Sequence, residues 1–75
     1  MTGHHPTPTP RWDDLTPGQR RILSAACWSG LCRVNLNSVA DVAMLEATGL
    51  VEGAGNGFDV APTPTGRRVW EDRHG

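Results

Sequence analysis

Residues Ser38 to Trp70 are punctuated so closely by glycine and proline that few folds can accommodate them. Apolar residues at helical spacing (Val39, Val42, Leu45) run up to Gly49, the position where a left-handed residue stops a helix. Leu50-Val51-Glu52 and Phe58-Asp59-Val60 flank Gly53-Ala54-Gly55-Asn56-Gly57, a tip whose residues accept positive φ. Thr63-Pro64 then opens another helix, with Thr as N-cap and Pro at its first position. The pattern predicts a helix over 38–48, a two-stranded hairpin and a last helix over 64–72. In the hairpin Phe58 and Val60 share the inward face. Ser38 and Asp41 are expected to cap the first of these helices, and Leu50 to pack back on Leu45 in a Schellman ending.

Upstream, Thr16-Pro17-Gly18-Gln19 is a capping box that opens a helix over 17–29, closed by Gly30. Ile22, Leu23, Ala26 and Cys27 give it one apolar face. Leu31 to Leu36 alternates apolar and polar residues, which predicts a short strand turning Leu31 or Cys32, Val34 and Leu36 inward. The chain is therefore α+β, ordered helix–short strand–helix–β-hairpin–helix. Residues 1–11 form a Thr/Pro-rich arm expected to be disordered, 12–72 the domain and 73–75 a flexible tail. In so short a domain Trp12, Trp28, Trp70 and Phe58 are expected to carry much of the burial. The expected core is Leu15, Ile22, Leu23, Ala26, Val34, Val42, Leu45, Leu50, Phe58, Val60 and Val69, with Trp28 or Trp70.

Chemistry is sparse. His4, His5 and His74 lie in the tails and the domain holds no other histidine, so no general base is in view and an enzyme is not expected. Cys27 and Cys32 are two where a zinc site wants four ligands, so no metal or cofactor is expected. The opening residues lack the apolar core of a secretory leader, and no run approaches the ~20 apolar residues of a membrane span. A cytoplasmic location without membrane attachment is expected, with no small-molecule substrate evident.

Three segments carry a resemblance: Leu15-Thr16-Pro17-x-Gln19-Arg20-x-Ile22-Leu23, Leu45-Glu46-Ala47-Thr48-Gly49-Leu50-Val51, and Phe58-x-Val60-x-Pro62-Thr63-Pro64-x-Gly66-Arg67. Together they resemble winged-helix transcription regulators of the MarR type over residues 15–70. In that family a Leu-x-x-x-Gly-Leu-Val/Ile segment joins the recognition helix to the wing, and Thr-Pro-x-Gly-Arg follows the second wing strand. The resemblance implies a small DNA-binding protein, a transcription regulator or a phage or mobile-element accessory factor, acting as a dimer. Asn35, Asn37 and Ser38 would lie near bases, with Arg20, Arg21, Arg33, Arg67 and Arg68 on phosphates.

Two departures from the family pattern are plain. Only Leu31–Asn37 separates the first helix from the second, so the positioning helix of a helix-turn-helix is missing or reduced to a turn. The recognition-helix segment carries Asp41 and Glu46 but no Arg or Lys. The alternative is a winged-helix frame retained as a protein-interaction module without DNA binding, dimeric or engaging a partner through Trp12, Trp28 and Trp70.

Overall fold

The structure, a computed structural model, describes residues 9–74; residues 1–8 of the arm expected over 1–11, and Gly75, lie outside them. The first helix, α1 (Pro17–Ser29), begins as its sequence dictates. The Gln19 amide donates to Thr16 Oγ1 (3.2 Å), and the Thr16 amide donates to Gln19 Oε1 (3.0 Å). Gly30, at φ 88°, closes it by donating to the Ala26 carbonyl. A 3-10 turn at Trp12–Asp14 precedes α1.

Strand β1 is only Cys32–Arg33, shorter than the expected Leu31–Leu36, and local hydrogen bonding accounts for the difference. The Asn35 amide oxygen accepts the Asn37 N–H (2.9 Å). The Ser38 hydroxyl accepts the Asn35 N–H (3.1 Å) and donates to the Asn35 carbonyl (3.1 Å). These bonds fold 35–38 into a turn that takes the chain out of the sheet. Leu36, expected inward, is consequently 93 % exposed. Ser38, spent on that turn, makes no side-chain cap on α2 (Val39–Ala47), and Asp41 lies against Gly18 at the start of α1.

The far end of α2 follows the expected Schellman pattern. Gly49 (φ 79°) donates to the Glu46 carbonyl at 3.1 Å, and Leu50 donates to the Leu45 carbonyl at 2.9 Å. Leu45 and Leu50 are both fully buried in the same cluster. Strands β2 (Val51–Gly53) and β3 (Asp59–Pro62) pair antiparallel, and β3 pairs antiparallel with β1. The sheet order is thus β1-β3-β2, with Val60 opposite both Cys32 and Gly53. At the tip, Asn56 Oδ1 accepts the N–H groups of Phe58 and Asp59, each at 2.9 Å.

Helix α3 (Pro64–Glu71) is locked onto the α2–β2 junction. Thr63 Oγ1 accepts the Gly66 N–H (3.0 Å) and donates to the Gly49 carbonyl, while the Thr63 N–H donates to Leu50 (3.1 Å). Gly66 is buried here, and a Cβ would run into the Leu50 carbonyl oxygen. The glycine of Thr-Pro-x-Gly-Arg is therefore a close-approach residue. A second 3-10 turn, Asp72–His74, continues the fold into the segment expected to be a flexible tail.

The three helices and the three-stranded antiparallel sheet enclose an aliphatic core of Leu15, Ile22, Leu23, Ala26, Val42, Leu45, Leu50, Val51 and Val60, with Cys27. Val34 and Val69 pack on its rim. Phe58 is 65 % exposed, against the expectation of an inward side chain. Phe58 lies in the bend before β3 rather than in the strand, and residues 52–58 are all exposed, so the hairpin has left the core by its tip. None of the tryptophans is buried either: Trp12 and Trp70 lie half-buried at the edge, and Trp28 is 81 % exposed. Compact aliphatic side chains fill the small interior, and indoles of this area stay on its margin.

Candidate interaction surfaces

Five residues expected near nucleic acid come together. Arg21, Arg33, Asn35, Asn37 and Ser38 line a groove of about 400 Å³ between the start of α1, β1 and the turn before α2. Their placement follows from the 35–38 turn, which folds the polar segment back beside Gly18 and Ile22. The charge of the groove is largely balanced. Arg33 Nε lies 3.5 Å from Asp59 Oδ1, whose other oxygen accepts from Asn56 Nδ2 at 2.8 Å. Asp41 lines the same groove.

The other three arginines sit elsewhere. Arg20 is half-buried and bonded within the chain: Nε donates to the Trp12 carbonyl and Nη2 to the Asp13 carbonyl, each at 3.1 Å, and its guanidinium lies 5.8 Å from the Trp12 ring centroid. Arg68 faces a second cavity, of about 520 Å³, shared with Arg11, Trp12 and Arg73. Arg67, one residue earlier on α3, is close enough to Cys27 to act on its thiol. Burial pushes that thiol up, with Arg67 and Arg73 pulling against the shift and Glu71 adding to it. Burial also raises the Cys32 thiol, helped by Asp59. Both cysteines are free.

Charge is segregated along the chain. Residues 34–66, which build α2 and the hairpin, contain Asp41, Glu46, Glu52 and Asp59 and no Lys, Arg or His. All seven arginines lie outside that stretch, against four acids, so net −4 in one part faces net +3 in the other. The outer side of α2 is apolar as well: Leu36, Val39, Ala40, Ala43, Met44 and Ala47 are all exposed. The acidic and apolar character of this helix is visible in its sequence. Its signal was present in the apolar run Val39-Ala40 and Ala43-Met44, which leaves residues over once Val42 and Leu45 have filled the core.

Where the end of α1 meets α3, exposed Trp28 and half-buried Trp70 form a second, aromatic surface. Trp28 and Trp70 meet edge to face, with centroids 6.3 Å apart and planes at 69°. The Arg73 guanidinium lies 4.0 Å from the Trp70 centroid and its Nη1 donates to the Trp70 carbonyl at 2.6 Å. Among the described residues no group of three or more His, Cys, Asp or Glu is placed to hold a metal ion, and no helix is long and apolar enough to cross a membrane.

No protein-family model, curated protein or solved structure matches the chain.

Proposed function

We propose that the chain is a winged-helix-type domain serving as a protein-interaction module, with α2 as its docking face. The frame is supported by the order α1–β1–α2–β2–β3–α3, the sheet order β1-β3-β2 and the hairpin placed directly after α2. The observation that carries the function is the outer face of α2: Leu36, Val39 and Met44 exposed with Glu46 beside them, Asp41 half-buried at its edge toward α1, and no cation from residue 34 to 66. In a winged helix this is the surface that would meet DNA, and here it would repel phosphate. An apolar face in an acidic field suits a protein segment whose apolar residues are flanked by Arg or Lys. The module is read as a binding protein rather than an enzyme, in a cytoplasmic setting that suits two free thiols. A cationic amphipathic peptide of Leu and Arg tests it. Titration should shift resonances of residues 36–47, and Met44→Glu should weaken binding at least tenfold. Equal binding by Met44→Glu would contradict the reading.

A second reading, DNA binding, is supported by the groove that unites Arg21, Arg33, Asn35, Asn37 and Ser38. In this reading Arg21 and Arg33 engage phosphates, with Arg20, Arg67 and Arg68 further out on the backbone. Duplex titration at low and moderate salt tests it, because each neutralised phosphate contributes about −0.9 to the log–log slope. Arg21→Ala should reduce that slope by about one contact. A duplex that binds no more tightly at low salt would remove this reading.

A further inference from the structure

The chain enters the described structure beside its own aromatic surface. Thr9 and Pro10 line the cavity of about 520 Å³ that holds Trp12, Arg68, Val69 and Arg73. Pro10 also borders a smaller groove beside Met44 and Leu45, but Thr9 does not. The chain preceding Thr9 is therefore led toward α3 rather than α2. From that cavity the path to the other tryptophans is continuous. Arg73, one of its walls, lies over the Trp70 ring, and Trp70 meets Trp28 edge to face. With planes at 69°, the two indoles make a bent aromatic wall whose outer member, Trp28, is exposed.

We infer that residues 4–8 of the same chain, which lie outside the described residues, cover this wall, with Pro6 and Pro8 packed on Trp70 and Trp28. This contact is separate from the α2 face. Reach, geometry and bonding all favour the chain's own arm as the occupant. Eight residues precede Thr9, and in polyproline II geometry they span about 25 Å. The whole of α3, eight residues, is only about 12 Å long. Pro6-Thr7-Pro8-Thr9-Pro10 favours that extended geometry, and at three residues per turn each face of the segment carries one proline. Aromatic walls are where such segments dock, at low entropic cost because they are already extended. The segment carries no charge, which suits a surface where Glu71 and Asp72 stand among Arg67, Arg68 and Arg73 and largely offset them. Proline at every second residue removes amide donors and leaves carbonyl acceptors. Arg68 and Arg73 line the cavity, and among the described residues neither is in an ion pair. Arginines of this chain already bond main-chain carbonyls, Arg20 those of Trp12 and Asp13 and Arg73 that of Trp70.

NMR of the full chain at low concentration tests the inference, together with the double variant Pro6→Ala/Pro8→Ala and, separately, Trp28→Ala. In the wild type, ring protons of Pro6 or Pro8 should show nuclear Overhauser contacts to the indoles of Trp28 and Trp70, and amide relaxation at Thr7 should match that of α1. The double variant should shift the Trp28 and Trp70 indole N–H signals and give Thr7 the relaxation of a free tail, while the core keeps its wild-type shifts. Trp28→Ala should release Thr7 in the same way. The two prolines lie outside the described fold, so their result stands even where loss of Trp28 disturbs packing. Free-tail relaxation at Thr7 in the wild type would overturn the inference, as would indole signals that the proline substitutions leave in place. Contacts found only between an isotope-labelled copy and an unlabelled one would overturn it too, because the occupant would then be a second molecule's arm.

Discussion

Gly66→Ala tests the contact that holds α3 to the rest of the fold. In a helix, alanine is normally favoured over glycine by about 1 kcal/mol. Here the added Cβ meets the backbone carbonyl of Leu50, which cannot rotate away as a side chain can. That carbonyl also accepts the Thr63 N–H at 3.1 Å, so relieving the clash strains the bond that sets the start of α3. Overpacking costs about 1–3 kcal/mol, and weakening the hydrogen bond adds about 1 kcal/mol. Against the helix gain, the net loss is about 1–3 kcal/mol. For a domain of this size, 1 kcal/mol moves Tm by about 4–8 °C, so a fall of roughly 10 °C is expected. Gly53→Ala is the matched control, because nothing lies within 4 Å of its Cβ position, and it should stay within about 0.5 kcal/mol of the wild type. Thermal unfolding followed by circular dichroism reads both. Equal melting temperatures for the two variants would refute the close approach of α3 to Leu50.

Three further outcomes are expected. Leu45→Ala, at a fully buried site, should cost about 2–5 kcal/mol and collapse amide shift dispersion; a native spectrum would disprove the α2–β2 junction. Arg20→Met keeps the aliphatic stem but removes the two bonds to the Trp12 and Asp13 carbonyls. It should cost about 1–2 kcal/mol and speed amide exchange at residues 11–15, and unchanged exchange there would count against the guanidinium clasp. Cys27 and Cys32 should alkylate slowly at neutral pH, Cys27 the more slowly because it is the more buried. Because folding raises both thiols, the folded state holds protons that the unfolded chain gives up first. Stability should therefore be flat below about pH 8.5 and fall above it. A rise in stability through that window would contradict the burial of the two thiols.

Much of the backbone was legible because it is written in local chemistry. Thr16 with Gln19, Thr63 with Pro64, Gly30 and Gly49 each act through bonds within a few residues, and the helices stop and start where those residues stand. The hairpin was legible for the same reason. What periodicity could not supply was the extent of the core. Alternation expects Phe58 on the face of Val60, yet Phe58 stands in the bend before β3 and only Val60 is buried. Leu36 was misplaced because Ser38 satisfies the Asn35 backbone and breaks the strand; the same serine bond was expected to point forward into α2. Of the expected phosphate contacts, Arg20 was the least predictable. Its partners are main-chain carbonyls seven and eight residues upstream, brought within reach by a 3-10 turn.

The central claim, that α2 presents a protein-docking face and not a DNA-reading one, is tested most directly by amide chemical-shift mapping of the full chain with a mixed-sequence duplex at low salt. Phosphate should be repelled from α2 and the hairpin, where residues 34–66 bear four acids and no base. The account predicts no shift at residues 36–47 or at Phe58, whatever weak contacts the arginines of α1 and α3 make. Saturable shifts along α2 and at the hairpin tip that disappear as salt is raised would contradict it.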